Sequence, residues 1–413
     1  MARLDHHQSP DLDARGRHPT APGVAPFRVA VAPAEIDDLR ARLARTRWPE
    51  PATVPDWSQG VPLEVLRGIC DYWARDYDWY EREQMLNAHP QFMTEIDGLD
   101  IHFLHVRSPE PDALPLIVTH GWPGSVFEFL DVLGPLTDPA AHGGDPADAF
   151  HVVCPSLPGY GWSGKPTGTG WDVARTAQAW VSLMERLGYP VFAAQGGDWG
   201  SRITTTLGSQ HGDHLLGVHV NMVVAGPPRE QTEFTEAEQE SLAKMSRYRE
   251  AESGYSTQQS TRPQTLGYSL VDSPAGQCAW ILEKFYAWTD TDGDPIGRLG
   301  ADRILDHVMA YWLTASGASA ARFYWESLRK SSFWQNLNGA SGAPPRQLDA
   351  TVSVPSGVSL FPKELFAPAR PWVERQYTDL RYWHEVDRGG HFAAFEQPGR
   401  YVEEVRTFFR LLR

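Results

Sequence analysis

The sequence predicts an α/β fold: a mostly parallel central sheet covered by helices, interrupted once by a helical insertion and preceded by a helical meander. Three observations carry this expectation. Short apolar runs rich in Val, Ile and Phe, at 114–119, 150–155 and 191–195, are joined by longer connections, one of them with helical character. Strand character fades after about Ala225 and returns at Thr351. The run at 191–195 also feeds a glycine-flanked turn, Gly196-Gly197-Asp198-Trp199-Gly200, the pattern of a sharp strand-to-helix elbow.

Taken in order, residues 1–26 hold His6, His7, Pro10, Pro19, Pro22 and Pro26 and no apolar core segment, which predicts a loose, flexible tail and not a signal peptide. Residues 27–96 form the helical meander. Over 34–48 Ile36, Leu39 and Leu43 recur at three- and four-residue spacing until Pro49, Pro51 and Pro55 stop the helix, and a second helix is predicted over 63–76. Both precede the first clear strand, so they are expected to attach to the sheet and not to join it. Residues 97–225 form the first part of the core, with a turn and strand over 98–103, the three strands above, and a helix over 172–187.

Residues 226–350 are polar and helical: Glu233, Glu236, Glu238 and Glu240 precede helices predicted over 279–288 and 301–313. The core resumes over 351–413, with strands at 352–360 and 382–386 and an amphipathic helix over 398–412. A sheet broken by a helical insertion and then resumed is the layout of an α/β-hydrolase with a cap. No internal repeat is visible.

Composition narrows the partners. The 413 residues suffice for one large domain with insertions or for two to three units. An aromatic load of 16 Trp, 14 Tyr and 17 Phe suits a large apolar pocket as well as a large core. With 37 basic and 52 acidic residues the formal charge of −15 argues against nucleic acid or anionic lipid as a partner. Cys70, Cys154 and Cys278 are odd in number and far apart, which suggests free thiols in a reducing cytoplasm. No apolar run approaches the ~20 residues of a membrane helix, so no membrane partner is expected. The histidines form no HxxxH or HxH cluster, so no metal or cofactor is expected. Abundant Ala, Arg, Asp and Pro with few Lys fits a GC-rich bacterial source.

The chemistry starts from Asp198, which stands where a lipase or esterase would carry Ser. A carboxylate is a weak nucleophile, suited to an electrophilic carbon with a good or strained leaving group, and its product is an enzyme ester. That points away from peptide cleavage and towards ring-opening or displacement at an alkyl carbon. The chain order of this fold, nucleophile then acid then histidine, calls for a downstream His. His391 lies in Arg388-Gly389-Gly390-His391-Phe392, between the last predicted strand and helix, and would activate the water that hydrolyses the ester. Four candidates for its orienting acid precede it: Asp349, Glu364, Asp379 and Asp387. Glu364 directly follows a predicted strand, the usual place; Asp387 would have to fold back and Asp379 precedes the next strand.

The loop His120-Gly121-Trp122-Pro123-Gly124-Ser125 follows the strand at 114–119 and offers the backbone N–H of Trp122, alongside that of Trp199, as an oxyanion hole. Trp122, Pro123 and Trp199 are also expected to contact substrate, whereas His120 reads as structural. Residues 159–164 match GxGxxG formally, but Pro158 precedes them and no helix opens at Gly164. They read as a loop beneath the cap and not as a dinucleotide site.

HGWPGS at 120–125, GYGWSG at 159–164, GGDWG at 196–200, FPKE at 361–364 and RGGHFAAFE at 388–396 together resemble the microsomal-type epoxide hydrolases. The likeness runs from about Phe27 and includes the N-terminal meander typical of that branch. It implies a triad of Asp198, Glu364 and His391, and two cap tyrosines, Tyr255 and Tyr324, that donate to the epoxide oxygen. Tyr248 and Tyr268 are neighbouring alternatives to Tyr255. Two phenols suit the task, because ring-opening leaves an alkoxide that needs a donor, and a phenol with pKa near ~10 donates while staying neutral beforehand.

The expected reaction is conversion of an apolar, bulky epoxide and water to a vicinal diol through an aspartyl ester, without cofactor. It would serve detoxification or secondary metabolism. A haloalkane dehalogenase with the same Asp elbow, in which Trp199 helps bind halide, is the main rival. A non-catalytic binding protein on the same fold is the second. Mammalian members of the family carry an N-terminal membrane anchor where this chain has a Pro/His-rich tail, and the composition favours a soluble, cytoplasmic protein. A homodimer is expected from the family alone.

Overall fold

The computed structural model describes residues 23–228, 230–328 and 351–413. These form one nine-stranded sheet from β1 (Val24–Phe27), β2 (Gln91–Ile96), β3 (Leu99–Val106), β4 (Leu114–Thr119), β5 (Phe150–Pro155), β6 (Phe192–Gly196), β7 (Leu215–Val220), β8 (Ser356–Leu360) and β9 (Leu380–Glu385). The spatial order is β1-β2-β3-β5-β4-β6-β7-β8-β9. The pairs from β1 to β5 are antiparallel and those from β5 to β9 parallel. Helices Leu130–Thr137, Val173–Arg186, Asp198–Gln210 and Pro398–Arg410 cover it, so β5 and β6 are buried along their whole length.

The expected strands at 114–119 and 150–155 form at those residues. The N-terminal segment departs from expectation. Val24–Phe27, which spans the end of the predicted tail, is a strand paired antiparallel with β2, so the meander enters the sheet before its helices begin. Pro26 lacks an N–H, and the sheet's edge is where such a residue is tolerated. Residues 1–22 of the predicted tail lie outside the described residues, as do 329–350 of the predicted cap and the candidate acid Asp349. β7 was also illegible: Gly217 and His219 interrupt its apolar pattern, yet a Cβ at Gly217 would come within 2.5 Å of Leu412.

Helices Pro33–Ala44, Leu63–Arg75 and Trp79–Asn87 make up the meander, and Ile36, Leu39 and Leu43 are buried as their spacing predicts. The cap runs from Glu236–Arg247 through Pro274–Trp288 and Ala301–Trp312 to Gly317–Leu328. Meander and cap are tied by polar contacts. Arg82 Nη2 lies 2.5 Å from Asp306 Oδ2, the Tyr77 hydroxyl donates to Asp306 Oδ1 at 2.9 Å and that of Tyr72 to Asp302 at 2.7 Å. The GYGWSG loop lies under the cap: Ser319 Oγ donates to the Gly159 carbonyl at 2.5 Å and the Tyr160 hydroxyl to that of Ala320 at 3.3 Å. Cys70, Cys154 and Cys278 are buried thiols. Among the described residues no helix is long and apolar enough to cross a membrane.

Candidate active site

The elbow between β6 and the helix Asp198–Gln210 departs in detail from the expected use of its glycines. The left-handed φ, +48°, belongs to Asp198 itself, a conformation costly for a side-chain-bearing residue and typical of functional turns. The glycines serve close approach. A Cβ on Gly200 would lie 1.8 Å from the Thr119 carbonyl oxygen, and one on Gly196 2.2 Å from Gly200. Helix and strand therefore touch backbone to backbone, and the Asp198 carboxylate is raised above the sheet.

Each oxygen of that carboxylate has its own partner. Oδ1 accepts from the backbone N–H of Trp122 at 2.8 Å, and Oδ2 lies 3.5 Å from His391 Nε2. Gly121 makes this approach feasible, since a Cβ there would lie 2.2 Å from Oδ1. Trp199 follows Asp198 in the first turn of the helix, where backbone N–H groups have no intrahelical acceptor. Its indole stands edge-on to Tyr324 at 4.7 Å and its buried Nε1 has no hydrogen-bond partner among the described residues. The Trp122–Pro123 peptide bond is cis. Pro123 is buried but lines neither cavity next to Asp198.

Of the three described candidate acids, Glu364 is the one brought to the histidine. His391 Nδ1–H donates to Glu364 Oε1 at 2.7 Å, and the Leu365 N–H donates to the same oxygen at 2.7 Å. Asp379 instead pairs with Arg381 and Asp387 with Arg400. Burial alone would depress the His391 imidazole, but the Glu364 and Asp198 carboxylates on either side hold it well above the ordinary imidazole range. His120 is a structural residue here. Burial lowers it to about 4, so it is neutral. Its Nδ1–H donates to the Gly121 carbonyl at 2.8 Å while Nε2 accepts from the Leu157 N–H at 3.2 Å, which holds the loop together.

The cap supplies the other wall. Tyr255 and Tyr324 line a small cavity together with Asp198, Trp199, Met222 and Phe366. Trp122 stacks on Tyr255 at 4.9 Å between ring centroids and meets Tyr324 edge-on at 6.0 Å. Burial pushes both phenols well above their usual pKa, so both are protonated donors. Tyr268 is 69% exposed and takes no part.

Tyr248, by contrast, lines the same cavity, and its hydroxyl is 3.1 Å from that of Tyr255. It begins a π-helical turn, Tyr248–Glu252, a local irregularity common at functional sites. Two more residues escaped sequence reasoning. Arg202, one turn after Asp198, lines the phenol cavity, and burial lowers its guanidinium to about 10. Glu128 borders a second cavity beside Asp198 and His391; a lone carboxyl within Val126-Phe127-Glu128-Phe129 was the clue to it.

Two family profiles match the chain, one described as "Epoxide hydrolase N terminus" over residues 24–129 and one as "alpha/beta hydrolase fold" over 115–265. A putative epoxide hydrolase of Stigmatella aurantiaca is 50% identical over 392 residues, which cover 95% of this chain and 86% of the relative. Epoxide hydrolase 1 of Sus scrofa is 36% identical, over 94% of this chain and 89% of its own length. Among solved structures, the Aspergillus niger epoxide hydrolase superposes with a TM-score of 0.82 at 32% identity, covering 95% of this chain and 98% of that one. The juvenile hormone epoxide hydrolase of Bombyx mori gives 0.83 at 30% identity, with coverage of 94% and 95%. With its α/β-hydrolase sheet, its Asp elbow and relatives matched along nearly the whole chain, the chain belongs to the microsomal-type epoxide hydrolase family.

Proposed function

We propose that this epoxide hydrolase opens an apolar epoxide through an ester on Asp198. The observation that carries the reading is the division of labour on one carboxylate: Oδ1 is held by the Trp122 N–H, and Oδ2 is free to attack between His391 and the phenol-lined cavity. Oδ2 forms a bond to a ring carbon, the C–O bond of the ring breaks, and the oxygen takes a proton from Tyr255 or Tyr324. Water then adds to the ester carbonyl carbon while His391 Nε2 takes its proton. The tetrahedral oxyanion forms at Oδ1, already on the Trp122 N–H, with the Trp199 N–H as second donor. Collapse breaks the bond between Cγ and the substrate-bearing oxygen. The departing alkoxide takes the proton from His391, and the Asp198 carboxyl gives the remaining proton back to His391.

The charge on His391 suits this order. While Asp198 is anionic, two carboxylates hold the imidazole proton; esterification removes one of those charges. The histidine then gives its Nε2 proton to the tyrosinate and becomes a competent base once there is an ester to hydrolyse. Glu364 is the orienting acid, and Trp122 and Trp199 contact the substrate. The aromatic lining supports an apolar substrate, and since the closed cavity has room for little more than a water molecule, an epoxide enters with a shift of the cap. The unpartnered Trp199 Nε1 favours displacement of halide at the same Asp as a second reading.

Incubating the His391→Gln variant with styrene oxide is expected to accumulate a covalent adduct, seen as a mass increase of the intact protein, and Asp198→Asn is expected to form none. Halide release from an alkyl bromide without diol formation from the epoxide would favour the second reading.

A further inference from the structure

Asp198 borders two cavities that share no other lining residue. One is lined by phenols. The other lies under the HGWP loop, bounded by Gly121, Glu128, Gly197, Asp198, Asn221 and His391, and has room for one water molecule. We infer that this second cavity holds the hydrolytic water and that Glu128, as a carboxylic acid, hydrogen-bonds and aims it at the ester carbonyl. The inference rests on the ester reading above and deepens it.

Three observations point to Glu128. Its neighbours Val126, Phe127 and Phe129 are all buried, whereas its own half-buried side chain lines this cavity. Its carboxyl has a seat: a Cβ on Gly124 would lie 1.4 Å from Glu128 Oε1, so glycine at 124 leaves room for this group. The backbone N–H groups of Ser125 and Gly121 donate to its carboxyl, which fixes it at the cavity wall beside Asp198. Burial, reinforced by the Asp198 charge, pushes Glu128 up to about 8.

The chemistry needs such a group. The attacking water gives one proton to His391 Nε2 and directs a lone pair at the Asp198 carbonyl carbon, which leaves its other hydrogen-bonding positions to be satisfied. A neutral acid can take these without competing with His391 for the proton and without repelling the oxyanion that forms at Asp198. Glu128 leaves the cycle unchanged, so no proton or electron is gained or lost there.

The test separates the half-reactions by rapid mixing with styrene oxide, reading ester formation by intact-protein mass and its decay by diol release. Glu128→Leu is expected to form the ester at the wild-type rate and to hydrolyse it about tenfold more slowly or worse, so that ester accumulates at steady state. Glu128→Gln, which keeps shape and polarity, is expected within about threefold of wild type in both steps. Glu128→Met replaces Leu should the branched side chain not fold. Wild-type hydrolysis in the apolar variants overturns the inference, as does an equal slowing of both half-reactions or a Gln variant as slow as Leu. Absence of any adduct in His391→Gln would overturn the ester reading itself, a separate failure.

Discussion

At the residue scale the site is a set of groups whose protonation is set by what surrounds them. The phenols of Tyr255 and Tyr324 are buried and held protonated, so in the proposed mechanism removing either hydroxyl withdraws a proton source from ring-opening. Tyr255→Phe and Tyr324→Phe are each expected to lower the rate of ester formation about 10²-fold, and the double variant to abolish it. Tyr248→Phe costs Tyr255 its hydroxyl partner, and a loss of about tenfold in kcat with KM little changed is expected from steady-state assays.

Glu128 gives a pH signature. Its pKa is raised from the ordinary 4.5 to about 8 on folding. Between those values the folded state holds a proton that the unfolded chain has released, so its contribution to stability falls as pH rises. Glu128→Gln has no such window. Its stability relative to wild type should therefore climb from about pH 5 to about pH 8 in urea titrations, and a flat difference would contradict the assignment.

At the element scale the elbow and the HGWP loop were legible because their function constrains the backbone and so leaves glycines in the sequence. The two loops nevertheless use them differently. Gly200 lies against the Thr119 carbonyl, backbone on backbone with nothing to yield, and Gly200→Ala is expected to cost about 3 kcal/mol or more in denaturant unfolding. A Cβ on Gly121 would lie 2.2 Å from the Asp198 Oδ1 and 2.3 Å from its Cβ, which the backbone holds in place. Gly121→Ala is expected to lose stability in denaturant unfolding and most of its turnover, because the loop must shift and the carboxylate loses its place on the Trp122 N–H. Elements lacking such punctuation were not legible. β1 is four residues with a proline, and β7 carries Gly217 and His219 where period and burial would ask for apolar side chains. Their strand character comes from the neighbours they pair with.

For the whole molecule, the N-terminal segment does two jobs that its sequence did not announce. β1 extends the sheet, and the helices after it grip the cap. Asp306 on the cap is 4% exposed and is held by Arg82 and Tyr77 of the meander; burial still pushes its carboxyl up to about 6. Truncating one partner of a buried pair leaves the other charge uncompensated. Arg82→Ala is therefore expected to cost about 3–5 kcal/mol and to lower Tm. Because Asp306 belongs to the cap that carries Tyr324, KM should rise in the same variant.

The sheet-and-cap layout, the elbow at Asp198 and the choice of His391 could be read from the sequence because each depends on local patterns: periodicity, glycine punctuation and chain order. The sequence also narrowed the acid to Glu364 among several carboxylates and the second phenol to a short stretch of the cap. Only the tertiary structure decided how these meet. Glu364 rather than Asp379 or Asp387 faces His391, since which carboxyl turns inward depends on strand ends packed from distant parts of the chain. Tyr248 joins Tyr255, and Glu128 reaches the cavity beside Asp198, through contacts made only on folding. Protonation followed the same rule, for burial and the nearness of other charges belong to the folded molecule and not to the residue.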